Sequence, residues 1–195
     1  MKTTGKKRED DKMVTSKDVA DFYIDLFRDS KEPMTRMRIH KFLYFAQGWS
    51  MTRFGKPLFD DDFKALRHGP VMTSLDINWK ENGSKPIRTK ADKQLLSVFT
   101  VDQVQLLLDV AEKYSSFDTD ELAHMTHEAG GAWDKNHVEG KSNPLLIPKE
   151  DIKEEFEIIR NSEGDLPDFF TEECKRKAVK VVKPVEGSPL SDDWE

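Results

Sequence analysis

Cysteine is almost missing from this chain. One residue, Cys174, stands among 195, which excludes an internal disulfide and a cysteine-based metal cluster. Long apolar runs are missing too. None approaches the roughly 18 residues that a membrane-spanning helix needs, and no signal-peptide pattern opens the sequence. A cytoplasmic protein with no membrane partner is therefore expected. An excess of positive charge is also absent. Lysine and arginine number 31 against 37 acidic residues, a net charge of −6, whereas nucleic-acid binding calls for a basic face. The balance is uneven along the chain: residues 1–56 hold 13 basic and 8 acidic residues, residues 145–195 hold 8 and 14. Such asymmetry suits charge-guided contact with a partner or between the two ends. There are no internal repeats.

Large aromatics are plentiful, with 12 Phe and 4 Trp; each contributes about 1.5–3 kcal/mol or more when buried. Apolar residues make up 36%, enough for one domain with a modest core. Residues 1–14 are polar and read as a disordered arm. Helical spacing begins at Ser16, capped by Thr15 or Ser16, with Val19, Phe22, Tyr23, Leu26 and Phe27 on one face. Pro33 fits the entry to a second helix over residues 34–51, apolar around most of its circumference and so the central, most buried one. Gly55 and Pro57 end it. The stretch "LFDDDFKALR" reads as partly extended and "HGP" as a turn, with Pro70 opening a third helix over residues 71–79. A short strand is expected around Ile87. The clearest helix follows Thr100 or Asp102 and carries Val104, Leu107, Leu108, Ala111 and Tyr114 inward. Another runs from Asp118 to Gly130-Gly131. Residues 132–148 read as loop, residues 148–160 as a helix with Ile152, Phe156 and Ile159 inward. A last helix is expected after Asp165-Leu166-Pro167, then a tail. The expected fold is mainly α: a compact helical domain over residues 15–160 with a short β-hairpin, a flexible arm 1–14 and an extension 161–195.

Chemistry is sparse. Asp60, Asp61 and Asp62 could meet a hard cation, but adjacent residues diverge and the spaced, glycine-bearing calcium pattern is missing. Pairing with Arg53, Lys64 or Arg67, or capping of backbone N–H groups, is the expected role. His68 sits beside a turn glycine ahead of a helix start, where an anion can bind, yet a hydrogen bond to the turn backbone suffices for it. Glu121, His124 and Glu128 share a helical face, as in one half of a di-iron bundle, but a second E-x-x-H copy is missing. Cys174 has lysine neighbours but no base placed beside it. No catalytic residue, metal or cofactor is assigned, and the sequence demands no enzyme.

The block "IHKFLYFAQGWSMTRFGKPLFDDDFKALRHGPV" resembles the signature of the Panacea, or SocA-like, domain. The match rests on Lys41, residues 43–49 (with Tyr44, Gly48 and Trp49), residues 55–59, Phe63, Ala65, Gly69, Pro70 and Val71. It continues through "VAEKYSSF", through Leu122, Thr126, His127, Glu128 and Trp133, and through Ile147, Ile152 and Phe156. The likeness spans about residues 15–158.

What the resemblance implies is a binding protein. Such domains act as antitoxins in bacterial and phage toxin–antitoxin pairs and neutralise toxins by direct protein contact. A relative resembles a protease adaptor that delivers its toxin for degradation, and related chains are often called phage-associated. Some members add a DNA-binding helix-turn-helix; the arm here is too short and polar for one, so direct DNA binding is not expected. On this reading the partner is a cognate toxin, with a protease as an alternative partner and a metal-dependent enzyme as the rival function. Tyr44, Gly48, Trp49, Gly69, Pro70 and Trp133 are expected to build the scaffold. Gln47, Arg67, His68, His127 and Glu128 form the polar set expected to meet the toxin, and the extension from Asp165 is a further candidate contact.

Overall fold

The computed structural model describes residues 13–88 and 95–167. The arm up to residue 12, Cys174, the expected helix beyond Pro167 and the tail lie outside them. Among the described residues the fold is mainly α, with seven α-helices and a three-stranded sheet.

Helix α1 (Ser16–Leu26) starts in a capping box: the Thr15 hydroxyl accepts from the Asp18 N–H while the Asp18 carboxylate accepts from the Thr15 N–H. It buries Val19, Phe22 and Tyr23, but Leu26, expected inward, is exposed because the helix ends there. Helix α2 (Arg36–Phe54) begins two residues later than its proline suggested. Thr35 is the cap, while Met34 stays in the preceding loop and its carbonyl accepts from the Ile87 N–H (2.8 Å). That single bond replaces the strand expected at Ile87. Gly55, at φ 71°, ends α2. Every residue of α2 from Arg38 to Thr52 is buried, as its all-round apolar pattern required.

The segment after α2 departs most from expectation. Strands β1 (Phe63–Leu66) and β2 (Gly69–Val71) form an antiparallel hairpin with Arg67 and His68 at its tip. Gly69 and Pro70 therefore do not open a helix. Pro70 pairs opposite Ala65 on an edge strand, where the missing N–H costs no ladder bond. Gly69, directly after the turn, takes φ 100°, a conformation that glycine adopts without steric cost. The helix expected over 71–79 shrinks to α3 (Thr73–Asp76) and a 3₁₀ stretch, Ile77–Asn82. A second 3₁₀ turn, Leu95–Val98, precedes α4 (Val101–Tyr114), which Thr100 caps in a box with Gln103.

Asp118 caps α5 (Thr119–Met125), which stops five residues before the expected glycines. The stretch read as loop contains α6 (Ala132–Asn136) and β3 (Leu146–Ile147), which pairs with the outer side of β1. Helix α7 (Lys149–Glu163) buries Ile152 and Phe156, with Ile159 partly covered. Leu166 is buried beyond it.

Helices α1, α4 and α7 surround α2, and aromatic rings fill the seams. Tyr23 and Phe27 meet Phe42 edge-on at 5.1 and 5.2 Å, Phe45 stacks on Tyr114 at 4.0 Å, and Trp49 meets Phe156 at 5.7 Å. Gly48 is what lets α7 approach: a Cβ there would lie 2.2 Å from the Phe156 ring. Gly48→Ala is expected to destabilise the fold by about 3 kcal/mol through overpacking, despite the better helix propensity of alanine. Phe156→Leu in the same chain relieves the overlap, so urea unfolding should show the two changes to be clearly less than additive.

Candidate functional site: the hairpin tip and the histidine-lined face

A helix buried on every side still carries polar side chains, and each must find a partner there. On α2 they reach outward to tie surrounding segments. Arg38 donates to the Phe117 and Ser115 carbonyls (2.7 and 3.2 Å) at the end of α4. Tyr44 donates to Glu155 (2.7 Å), whose same carboxylate oxygen accepts from the Ala132 N–H that opens α6 (2.7 Å). Burial pushes the Glu155 carboxyl above its usual range. Gln47 accepts from the Leu58 and Phe59 N–H groups and donates to the Phe59 carbonyl. Trp49 donates to the Tyr114 hydroxyl (3.0 Å).

Under the hairpin lies Lys41. It is fully buried, its amine donates to the His68 carbonyl (2.6 Å), and it joins no ion pair among the described residues. Burial lowers its pKa to about 7. Around Gly69 three polar atoms converge. A Cβ on that residue would lie 2.1 Å from Lys41 Nζ, 2.8 Å from Thr126 Oγ1 and 3.0 Å from His127 Nε2. His127 Nε2 is buried with no hydrogen-bond partner among the described residues. Burial lowers the His127 pKa to about 4, and Lys41, His124, His137 and His68, all of one sign when protonated, push it the same way. The His127 ring stacks on Trp133 at 3.9 Å, as does His137 at 4.3 Å. The Trp133 indole N–H is fixed by the Leu66 carbonyl (2.7 Å), so α6 grips the strand that leads to the turn.

Beside this cluster a cleft of about 490 Å³ opens, bordered by Met37, Leu66, His68 and Val71. Its floor holds a charged network. Arg36 makes a bidentate pair with Asp76, and His40 Nε2 stands 3.0 Å from the same carboxylate while its Nδ1 faces the Met72 N–H at 3.4 Å. An accepting Nδ1 and donating Nε2 make a neutral imidazole, consistent with a pKa lowered by burial. The Arg36 hydrogen bonds, then the one from His40, hold Asp76 well below the usual carboxylate range.

The expected polar set divides. Arg67, His68 and Glu128 are exposed and His127 is partly so. Gln47 is fully buried; its whole amide is used on the loop before β1, so it offers a partner nothing. Tyr44, Gly48, Trp49, Gly69, Pro70 and Trp133 all sit at packing or turn positions. The aspartate run does not pair with Arg53, Lys64 or Arg67. Asp62 pairs with Lys149 (2.6 Å), which also donates to the Asp60 carbonyl, and Asp61 accepts from Ser74. Arg53 instead meets Asp109 (2.6 Å). Glu121 accepts from the Asp118 N–H in the α5 capping box, and among the described residues no group of three or more metal-ligating side chains converges. The sequence reading names Lys41 only as a signature position and does not name His40 or Asp76; for Lys41 and His40 the available signal is polar residues inside an otherwise apolar helix.

Together these residues form a helical frame that fixes a turn from beneath and leaves its tip bare. Residues 39–134, from α2 into α6, match the family model described as antitoxin SocA-like, Panacea domain. The chain is 28% identical over 139 residues to the antitoxin SocA of Caulobacter vibrioides (strain NA1000 / CB15N), covering 65% of this chain and 72% of that one. No solved structure matches it.

Lys41 gives this site a pH signature. Its folded pKa of about 7 lies below its ordinary 10.5. Between those values the unfolded chain binds more protons, so stability rises with pH from about 7 toward 10. Lys41→Met removes that rise and strips the His68 carbonyl of its donor, so the variant should be less stable than the parent by about 1–2 kcal/mol at pH 9.5, where the parent amine is neutral, and closer to it at pH 7. Urea unfolding at pH 7 and pH 9.5 measures both effects.

Proposed function

We propose that this protein is an antitoxin that neutralises a protein toxin by binding it, without making or breaking a covalent bond. The family relationship supports the class. The observation that carries the mode is the hairpin tip. Arg67 and His68 are exposed on a turn whose backbone is held from inside by Lys41. Beside them the face adds His124, His127, His137 and the ring of Trp133. An arginine and aromatic rings on a fixed backbone are the residue types that dominate binding energy at interfaces. The cations and imidazoles of this face suit an acidic patch on the toxin.

Co-expression with the protein of the neighbouring gene tests this. The expected result is restored growth and a complex that co-purifies, with the partner's half-life unchanged; a shortened half-life would instead mark a protease adaptor. Arg67→Glu with His68→Glu should weaken the complex roughly 30-fold, about 2 kcal/mol, and leave the melting temperature within about 2 °C, since neither side chain is buried. Full toxicity with no complex, or unaltered affinity in the double variant, refutes the assignment of this face.

A further inference from the structure

On another side of α2 lies a second groove, about 430 Å³, between α4, the α5–α6 loop and α7. Phe117, Met125, Ile158 and Ile159 give it an apolar wall, and Ile158 is 58% exposed. Glu128 and Glu163 stand at its rim, with Lys113 already paired to Glu163 (3.0 Å). An apolar floor with acidic edges calls for an occupant that is apolar and basic.

Such a segment follows directly in this chain. The described residues end at Pro167, four residues beyond Glu163. The exit is pinned there: Leu166 is buried, its carbonyl accepts from Arg53 (3.2 Å), and Asp165 lies 3.5 Å from the same guanidinium. Residues 168–183 contain two phenylalanines and three valines. They carry five cations, all between Lys175 and Lys183, against three acids, Asp168, Glu172 and Glu173, ahead of them. Reach is not limiting. Along α7 the groove runs from Glu163 back to Glu155, about 12 Å at helical rise. The eight residues from Leu166 to Cys174 cover about 12 Å even if helical and twice that if extended.

We propose that residues 168–183 seat in this groove in cis, their apolar side chains on Ile158 and Ile159 and their cations against Glu128 and Glu163. The groove is thereby covered by the protein's own chain, and the hairpin tip is left to the partner. This inference stands independently of the antitoxin reading.

Cys174, the lone thiol, makes a direct test on the full-length protein. Single cysteines are placed along the groove by Ala129→Cys, Ile158→Cys and Ser162→Cys, and outside it by Ser84→Cys in the other cleft. With oxidised glutathione, two thiols become one disulfide and two glutathione molecules are reduced. At least one groove variant should form an intramolecular disulfide ten or more times faster than the Ser84→Cys control, because tethering raises the local thiol concentration. Adding Glu128→Lys and Glu163→Lys should slow that reaction several-fold. No groove position outpacing the control overturns the proposal, as do disulfides that link two chains, which would mark a second copy as the occupant. An unchanged rate in the charge-reversed variant overturns the electrostatic part of it.

Discussion

Everything in this fold depends on one constraint: the central helix α2 has no solvent face across fifteen consecutive residues, yet its sequence keeps an arginine, a histidine, a lysine and a glutamine within that span. Buried polar groups left unpaired cost about 1–3 kcal/mol each, more when charged. The surroundings must therefore come to them. The end of α4 comes to Arg38, the loop before β1 to Gln47, α3 to His40 and the hairpin turn to Lys41. Segments that would otherwise be irregular surface loops are fixed in place by bonds made from the interior.

Close approach is the second half of that arrangement. Gly48 and Gly69 are needed for different reasons. At Gly48 the demand is space for Phe156; at Gly69 it is both a positive φ and the nearness of Lys41, Thr126 and His127. Two contacts between distant parts of the chain, α2 on α7 and α2 on the hairpin, thus hinge on a missing Cβ. A run of aromatics punctuated by glycines is what a scaffold of this kind requires, independent of any chemistry at its surface.

Much of this was legible in the residues. Helices α1, α2, α4 and α7 announce themselves through apolar spacing and caps that act locally, and the total burial of α2 follows from its lack of a polar stripe. What failed did so where local signals compete with tertiary ones. Pro70 carries the φ of a first helical turn, but that φ equally suits an edge strand, and pairing with β1 decides between them. Helix α6 has five residues and no side-chain cap; its first N–H is met by Glu155 from α7, a partner the sequence cannot place. Gln47 looked available because glutamine is usually at the surface, and only the fold shows its amide enclosed. On the candidate face Arg67 and His68 are exposed, whereas Lys41 beneath them is enclosed within an apolar helix, where residue type alone does not reveal its bond to the turn.

The charge pattern turns this architecture into a division of labour. A protein of net charge −6 gathers Arg67 and four of its five histidines around one hairpin, while Glu128, Glu155 and Glu163 line the second groove. The backbone of the hairpin turn is already fixed by Lys41, and its base by the Trp133 bond to Leu66. Contact there need order only side chains, at about 0.5–1.5 kcal/mol apiece, and not the loop itself. The same ties isolate the tip from the core: positions 67 and 68 can change in size or charge without disturbing a single interior bond, because what holds the turn is a carbonyl, which every residue possesses. Stability is thus vested in the buried spokes of α2, and the identity of whatever docks is free to be set by two or three exposed side chains.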